Sequence, residues 1–315
     1  MALCVGCYSP TISPGAPCET ECPGDLACID HVCRPPGYTG NPDAAVNDDA
    51  IDAMVPIDAG FDGPPGDADS DGVTDAVDNC PTKPNADQHD EDADTLGDVC
   101  DPCPHLAGNA ADGDGDGVGD ACDPQPQVAK QRIKFFDAFT SDRSEWNHLA
   151  NAARLGETLR LNAMSSSADT RLVVGNGESR ILAGGMIAAA STTTPRQFSL
   201  EFGLNATFNV YHYCEFYNSG ANSIAISRGN MGVYSTFAAE PAAGTLGVGA
   251  WSMQIDESVA AQQIKLDPKV GGAAYPVLTG NTATAPMLAS SNTIELYVHN
   301  IDIRLDYFLV IETLP

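Results

Sequence analysis

Basic residues are scarce in this 315-residue chain, which has 15 Lys and Arg against 43 Asp and Glu. The deficit is concentrated in residues 1–127, which contain 27 acidic and two basic residues, whereas residues 128–315 contain 16 and 13. An acidic arm of this kind repels nucleic acid and anionic membrane surfaces, so the sequence predicts no nucleic-acid partner. Multivalent cations are the counterpart that such an arm attracts.

Long apolar runs are also missing. No stretch approaches the about 18 apolar residues of a membrane-spanning helix, and no basic region with an apolar leader opens the chain. The first residues nevertheless resemble the end of a bacterial lipoprotein signal, with Leu3, Val5 and Gly6 before Cys7. The resemblance implies a lipid on Cys7 within an N-terminal tail, residues 1–17, as the only membrane contact. An ordinary N-terminal cysteine is the alternative.

Cysteine is nearly absent from the second part of the chain, where only Cys214 occurs, although ten cysteines precede residue 123. Two C-x-x-C pairs about 15–20 residues apart, as in many zinc sites, are missing. Disulfides, and therefore an oxidising compartment, are the better interpretation. Residues 18–34 form a small module with too few apolar residues for a core, which two disulfides must stabilise. Three connectivities are possible for its four cysteines, and we favour Cys18–Cys28 with Cys22–Cys33.

Aromatic residues almost vanish from residues 35–66, which consist mainly of Pro, Gly, Asp and Ala. No apolar period of 2 or 3.6 persists there. The segment is therefore predicted to be a disordered, charge-extended linker.

Three acidic clusters follow the linker and align with one another. Carboxylates at alternate positions of a tight loop converge on one ion, and calcium takes six to eight oxygen ligands. Gly72 and Gly117 come directly after the third Asp of their clusters and permit the turn. The EF-hand loop has the same initial spacing, but its Glu at position 12 is absent. The predicted ligands are Asp67, Asp69, Asp71, Asp75 and Asp78; Asp90, Asp92, Asp94, Asp98 and Asp101; and Asp112, Asp114, Asp116, Asp120 and Asp123.

The pattern D-x-D-x-D-G-x-x-D-x-x-D-N-C-P, followed by N-x-x-Q-x-D-x-D-x-D-x-x-G-D-x-C-D, resembles thrombospondin type 3 repeats. Asn85 and Gln88 match the linking Asn and Gln of that family, whereas Thr95 stands where its Gly is expected. The resemblance implies a calcium-binding array over residues 67–127, with calcium as the cofactor. It also implies the disulfides Cys80–Cys100 and Cys103–Cys122. A disordered acidic spacer is the alternative.

Residues 128–315 differ in character, because apolar and polar residues alternate in short runs such as 198–204 and 294–299. Many short strands with period 2, and no amphipathic helix, predict a mostly β fold with a C-terminal antiparallel β-sandwich, or jelly roll. The segments 135–139 and 303–310 resemble the first and last strands of concanavalin A-like (laminin G-like) sandwiches. The chain is thus predicted to place this sandwich after an irregular array stabilised by disulfides and calcium.

One strand of the sandwich is predicted to carry a ligand. Phe208, Val210, Cys214 and Phe216 alternate with polar and aromatic residues, so the apolar set is expected to face the core. The other face is suited to a glycan or a surface protein. The predicted ligand-binding residues are Asn209, Tyr211, Tyr213, Glu215 and Tyr217.

These features predict a non-enzymatic, calcium-binding adhesion protein at the cell surface or outside the cell. Its calcium-stiffened stalk would present the sandwich as a head. A polysaccharide-acting hydrolase with a degenerate sandwich site is one alternative, although no E-x-D-x-x-E strand occurs and Glu201 is the sole carboxylate of its strand. A structural coat component is another.

Overall fold

The computed structural model divides the chain into two compact units, residues 1–62 and 63–315. The residues described below are 27–29, 32–34, 66–108, 111–174, 179–203, 210–219, 222–241, 246–258, 261–270, 273–282 and 293–314. These residues contain strands and turns but no helix, so no helix among them is long and apolar enough to cross a bilayer. The proposed lipid site Cys7, the linker to residue 65 and the ligand residue Asn209 lie outside these ranges.

Strands account for nearly all of the regular structure in these ranges. They are β1 (Ala27–Ile29), β2 (Val32–Arg34), β3 (Gln131–Asp137), β4 (Trp146–Ala150), β5 (Ala152–Arg154), β6 (Leu159–Asn162), β7 (Ser167–Val173), β8 (Ser179–Ala190), β9 (Arg196–Phe202), β10 (Val210–Asn218), β11 (Asn222–Asn230), β12 (Val233–Pro241), β13 (Gly249–Ser258), β14 (Gln263–Val270), β15 (Ala273–Ala274), β16 (Leu278–Asn281), β17 (Thr293–His299) and β18 (Ile301–Thr313).

In the first unit, β1 and β2 form an antiparallel hairpin within the predicted disulfide module. Cys28 lies directly opposite Cys33 in its register. Because Cys18 and Cys22 fall outside the described residues, the pairing of these four cysteines stays a prediction.

In the second unit, two antiparallel sheets pack face to face, which confirms the predicted β-sandwich. One sheet has the order β12-β11-β10-β9-β17-β7-β4 and is here called the front sheet. The other, the back sheet, has the order β15-β14-β13-β8-β18-β6-β5, with β16 on β14 and β3 on β18. The crossovers between distant strands are those of a jelly roll rather than of a simple meander.

The core explains why the strand sequences alternate. Leu200 of β9, Cys214 and Phe216 of β10, and Leu296 of β17 all point inward and are at most 2 % exposed. The inward orientation predicted for Cys214 and Phe216 is therefore confirmed. Because successive strand residues point to opposite sides, the tyrosines of β10 are turned away from the core.

The long last strand, β18, is buried on both faces. Phe308 and Val310 face the main core, whereas Leu309 and Ile311 face the other way. A run of consecutive apolar residues is typical of a strand covered on both sides. The outer cover here is the third acidic repeat.

The third repeat forms a second, small core with the back sheet. Its members are Cys103, Val118 and Cys122 from the repeat, Leu182 from β8, and Leu309 and Ile311 from β18. At the same contact, the Arg180 guanidinium donates a 2.9 Å hydrogen bond to the Cys122 carbonyl oxygen, and the ring centroids of His105 and Tyr307 lie 5.0 Å apart. The array and the sandwich thus belong to one compact unit, and the predicted boundary at residues 127 and 128 crosses a packed contact.

Candidate functional site

The first Asp of each repeat closes a tight turn with its own carboxylate. Oδ1 of Asp67 accepts the Ser70 N–H at 2.7 Å, and Oδ2 accepts the Gly72 N–H at 3.1 Å. The same pair of bonds recurs in the third repeat, where Asp112 accepts the N–H groups of Gly115 at 2.7 Å and Gly117 at 2.9 Å. In the second repeat, Oδ2 of the corresponding Asp90 accepts the Thr95 N–H at 2.9 Å. These bonds curl the loop so that alternate side chains point inward.

The third Asp of each repeat reaches the following segment of the chain. Oδ2 of Asp71 accepts the backbone N–H of Asn85 at 2.7 Å, and Oδ2 of Asp94 accepts that of Gly108 at 2.8 Å. Oδ2 of Asp116 accepts the N–H of Gln131 at 2.6 Å. Each repeat is therefore joined to its successor by the same bond.

The second Asp of each repeat has a buried carboxylate oxygen without a hydrogen-bond partner. The three oxygens are Oδ2 of Asp69, Asp92 and Asp114. Buried polar atoms are nearly always bonded, so three equivalent exceptions mark positions suited to a bound cation. Within each repeat, one carboxylate oxygen from each of the first three Asp residues lies within 4.8 Å of the others. Two oxygens on one calcium ion, each at about 2.3–2.6 Å, lie at most about 5 Å apart, so the arrangement fits this ion.

The remaining predicted ligands also occupy equivalent positions. Oδ1 atoms of Asp75, Asp98 and Asp120 accept backbone N–H groups of Ala68, Glu91 and Gly113 at 2.8, 2.9 and 2.8 Å. Oδ1 atoms of Asp78, Asp101 and Asp123 accept those of Cys80, Cys103 and Gln125, each at 2.7 Å. Oδ2 of Asp78 and Oδ2 of Asp123 are buried and without a partner as well. The structure therefore brings the first three aspartates of each repeat together and gives the other six equivalent backbone hydrogen bonds; their role as ligands stays a prediction.

Some carboxylates of the array are held in an environment that disfavours their charge, whereas backbone hydrogen bonds, first that from Gly117, lower the pKa of Asp112. Burial raises the pKa of Asp69 and Asp92, and the adjacent Asp71 and Asp94 raise it further. Burial raises the pKa of Asp101 to about 6. A cation placed among these oxygens removes the repulsion, which is why such a site has affinity for one.

The two predicted disulfides of the array are present. Cys80 is bonded to Cys100 and Cys103 to Cys122, with Cα–Cα distances of 5.7 and 5.9 Å. The linking residues predicted from the family pattern have defined partners too. Gln88 accepts the Asn79 N–H at 2.9 Å and donates to Oδ1 of Asp78 at 2.8 Å, and Asn85 donates to Oδ1 of Asn79 at 2.7 Å.

Thr95 departs from the repeat pattern, and the backbone shows the consequence. Its φ angle is +85°, close to the +98° of Gly72 and the +94° of Gly117 at the same position. For a β-branched residue this left-handed conformation is strained. The turn therefore forms in the second repeat, as in the other two, but with an unfavourable residue.

The front sheet carries a polar row that faces away from the core. Residues directly opposite each other in antiparallel strands share a face. Cross-strand neighbours here are Ser227, Tyr213, Glu201, Glu295, Arg171 and Asn147, in that order across β11, β10, β9, β17, β7 and β4. A second row, two residues along, runs through Ala225, Glu215, Ser199, Tyr297 and Asp169.

Glu201 lies at the centre of these rows, directly opposite Glu295. Burial raises the pKa of Glu201 to about 8, with further contributions from the Glu295 and Glu215 carboxylates. Burial also raises the pKa of Glu215 to about 7. Glu295 differs, because the Arg171 guanidinium donates to its Oε2 at 2.6 Å and opposes the effect of burial. The row thus pairs one carboxyl group that is easily protonated with one that has a fixed cationic partner.

Tyrosines surround this carboxyl group. The rings of Tyr211 and Tyr213 lie 5.7 Å apart, and that of Tyr234 stands edge-on to Tyr213 at 6.3 Å. The three differ in exposure: Tyr213 is 8 % exposed and Tyr234 62 %, with Tyr211 between them. The rings of Tyr211 and Tyr234 lie against Tyr213 and leave it the least exposed of the three; that these tyrosines bind a ligand stays a prediction.

The predicted ligand residues of β10 are otherwise where the alternation placed them. Tyr211, Tyr213, Glu215 and Tyr217 share the outward face, and Gln197 donates to Oε2 of Glu215 at 3.1 Å. Sequence reasoning set Glu201 aside as the sole carboxylate of its strand and missed Glu295, Arg171, Tyr234 and Tyr297, which lie on other strands. The only signal for them is a period-2 position in each strand, because the register that unites them is not local.

Solved structures that align with this chain include carbohydrate-binding proteins and a GH43 protein. The winged bean acidic lectin, complexed with methyl-alpha-D-galactose, aligns with 59 % of this chain and all of its own, at 9 % identity and a TM-score of 0.45. The carbohydrate binding module CBM66 from Bacillus subtilis aligns over 51 % of this chain and 91 % of its own, at 8 % identity and a TM-score of 0.39. The GH43 protein BlXynB from Bacillus licheniformis aligns over 56 % of this chain, at 12 % identity and a TM-score of 0.40. The match spans only 39 % of the length of BlXynB.

A comparison with curated proteins found no match to this sequence. Residues 65–88, which include the first Asp cluster and the linking Asn85 and Gln88, match the thrombospondin type 3 repeat family.

Proposed function

We propose that residues 67–123 bind calcium at three equivalent sites. The observation that supports this most directly is the repeated set of three carboxylate oxygens within 4.8 Å, each with a buried, unpartnered Oδ2 on the second Asp. The segment contains 17 acidic residues and one basic residue, Lys83. Calcium bound to these oxygens would offset their mutual repulsion and order a segment that has little apolar core of its own.

Titration calorimetry of the chelator-treated chain with calcium tests this proposal. We expect several bound ions, and a loss of about one ion in Asp69→Asn, which removes one charged oxygen and keeps the side-chain shape. Lys83→Gln, an uncharging variant in the same segment, is the control and should leave the number of ions unchanged. Absence of binding heat at millimolar calcium would refute the proposal.

We propose further that the outward side of the front sheet, which carries the two polar rows and is here called the front face, binds carbohydrate. Tyrosine rings next to hydrogen-bonding carboxyl groups form the kind of surface that stacks on a sugar ring and bonds its hydroxyls. The rows around Tyr211, Tyr213 and Glu201 offer both, and the ring of Tyr234 is 62 % exposed while that of Tyr211 is half-buried. A binding face formed by four or more strands of one sheet is also rigid, which reduces the entropy that binding costs.

A glycan array with the whole chain, with and without calcium, tests this second proposal. The whole chain is needed because Leu309 and Ile311 are covered by the third repeat and would be exposed in an isolated head. We expect Tyr211→Ala to weaken binding about fivefold or more, in line with about 1 kcal/mol for an aromatic interface residue. Binding that is unchanged in Tyr211→Ala and Tyr234→Ala would place the ligand elsewhere.

Together these features favour a secreted or surface-attached adhesion protein. The two disulfides of the array require an oxidising compartment to persist. Lipidation of Cys7 remains part of the proposal, and mass spectrometry of the N-terminal peptide from cells tests it.

A hydrolase is the second candidate, and one specific observation favours it. Glu201 and Glu295 are directly opposed across two strands, and opposed residues have Cβ atoms about 4.5–5.5 Å apart. Retaining glycosidases need two carboxyl groups about 5–5.5 Å apart, with environments that separate their pKa values. Release of reducing ends from polysaccharides by the chain, abolished in Glu295→Gln, would establish this activity in place of simple binding.

A further inference from the structure

We propose that the front face binds glycans that carry free amino groups, that is, amino sugars without N-acetylation. This inference rests on the proposed carbohydrate-binding function and specifies the charge of the ligand. It depends on how carboxyl groups and tyrosine rings are arranged around Glu201.

The charges on the two rows are strongly unbalanced. They include the carboxyl groups of Glu201, Glu295, Glu215 and Asp169, and one cation, Arg171. The Arg171 guanidinium is directed at Glu295, with its Nε 2.6 Å from Oε2. Glu201 has instead a 3.5 Å hydrogen bond from the Ser199 hydroxyl to its Oε1. An anionic sugar would add to this imbalance, whereas an ammonium group corrects it.

With a neutral sugar bound, Glu201 either stays protonated or ionises without a ligand cation next to it. A half-buried carboxylate loses part of its hydration, and burial, Glu295 and Glu215 raise the pKa of Glu201 to about 8 although Ser199 and Arg171 oppose the shift. A ligand ammonium placed next to Glu201 lets it ionise at neutral pH. Ionisation of this group therefore becomes part of the binding reaction, and favours ligands with a positive charge.

The tyrosines favour the same ligand. Aromatic faces attract cations through their quadrupole, by about 0.5–2 kcal/mol per ring depending on desolvation. Tyr213 lies directly across from Glu201, Tyr211 is two residues along β10, and Tyr297 lies diagonally across on β17. The negative charge of Glu201 further raises the pKa of all three phenols, beyond the effect of burial, so they stay neutral. A carboxyl group ringed by neutral phenols is a suitable receptor for an alkylammonium group.

The test compares three probes of one length on the intact chain with calcium present: the β-1,4-linked hexamers of glucosamine, N-acetylglucosamine and glucose. At pH 6.5 and low salt, we expect the glucosamine hexamer to bind at least tenfold more tightly than the other two. Calorimetry in buffers of different ionisation enthalpy should show release of a substantial fraction of one proton on binding. Glu201→Gln should remove both the preference and the proton release.

Glu240→Gln is the matched control, because Glu240 is an exposed carboxylate on β12 of the same sheet. It should keep the preference, which distinguishes a local effect from the general attraction of an acidic protein for a cation. Equal affinity for the three hexamers would overturn this inference and leave carbohydrate binding intact. Binding of none of them, with a glycan array also blank, would overturn both. A preference retained in Glu201→Gln would show that the general negative charge, and not this carboxyl group, selects the ligand.

Discussion

The backbone N–H of Gln131 donates a 2.6 Å hydrogen bond to Oδ2 of Asp116. Gln131 is the first residue of β3, and Asp116 is the third Asp of the last repeat. The equivalent Asp71 and Asp94 receive the same bond from residues 85 and 108, which begin the next segment of the array. The sandwich thus continues from the third repeat in the way that each repeat continues from the one before.

This relationship predicts that the third calcium site stabilises the sandwich more than the first does. Asp114→Asn and Asp69→Asn each remove one predicted ligand oxygen, from the third and the first site. We expect Asp114→Asn to lower the melting temperature of the sandwich by several degrees in calcium, because that site holds Asp116 against β3. Asp69→Asn should change it by about one degree or less. Equal shifts, measured by calorimetry, would contradict the coupling.

The two disulfides of the array offer a second comparison. Their sequence separations, 20 and 19, are nearly equal. Loss of either disulfide should therefore lower the free energy of unfolding by nearly the same amount, about 3 kcal/mol, because the unfolded chain gains entropy. Only Cys103 and Cys122 contact the small core with Leu309 and Ile311. The double variant Cys103→Ala/Cys122→Ala should therefore lose about 1–2 kcal/mol more than Cys80→Ala/Cys100→Ala, through lost packing. Chemical denaturation followed by tryptophan fluorescence measures both, and equal losses would show that the contact contributes little.

Thr95 is the position where a substitution should improve the array. Its φ of +85° costs about 1–2 kcal/mol for a residue with a Cβ atom. Glycine avoids this strain but lowers the free energy of unfolding by about 0.5–1 kcal/mol, because it makes the unfolded chain more flexible. Thr95→Gly should therefore raise the calcium affinity of the second site by a few-fold. Thr74→Gly is the control, because Thr74 is exposed and lacks a positive φ, so glycine there should only destabilise. An affinity lowered by Thr95→Gly would show that the threonine side chain has a function of its own.

The aspartates of the array could be predicted residue by residue because the groups that form each turn are close together in sequence. Each turn is formed by carboxylates two to five residues from the N–H groups they accept, as in Asp67 with Gly72. The two disulfides were implied by the resemblance of the repeats to the thrombospondin type 3 family. What local reasoning could not supply is the docking of Val118 and Cys122 on the back sheet. The run Leu309-Val310-Ile311 is typical of a strand buried on both faces, but such a run does not indicate what covers it.

The polar rows of the front sheet were predictable only in part. Alternation within β10 placed Tyr211 and Tyr213 on the outward face correctly. Glu201 and Glu295 are 94 residues apart in sequence, and only the register of β9 with β17 brings them together. Cross-strand register between distant segments depends on the whole sheet, so a carboxylate that is isolated in its strand was not recognisable as one of a group.

The final prediction concerns the pH dependence of stability. The pKa of Glu201 in the folded protein is about 8, above the ordinary value near 4.5 of an unfolded glutamate. The folded state therefore binds more protons than the unfolded state between these values, and stability falls as pH rises from about 4.5 to 8. Glu215 acts in the same direction, with a pKa of about 7, whereas Arg171 offsets part of the shift at Glu295. Glu201→Gln removes the largest of these contributions, because a neutral amide has no charge to form.

We accordingly expect Glu201→Gln to unfold at nearly the same temperature as the parent chain at pH 5 and at a clearly higher temperature at pH 9. The nearby groups Glu295, Arg171, Asp169 and the phenols of Tyr211 and Tyr213 stay unchanged, so the difference between the two pH values isolates one carboxyl group. Glu240→Gln, on the exposed edge strand, should follow the parent at both. Thermal unfolding in saturating calcium is the measurement, because the array is then fully loaded throughout. If the melting temperature of Glu201→Gln varied with pH in parallel with that of the parent, Glu201 would be ionised in the folded protein with a compensating partner. The front face would then be less apolar than its burial indicates.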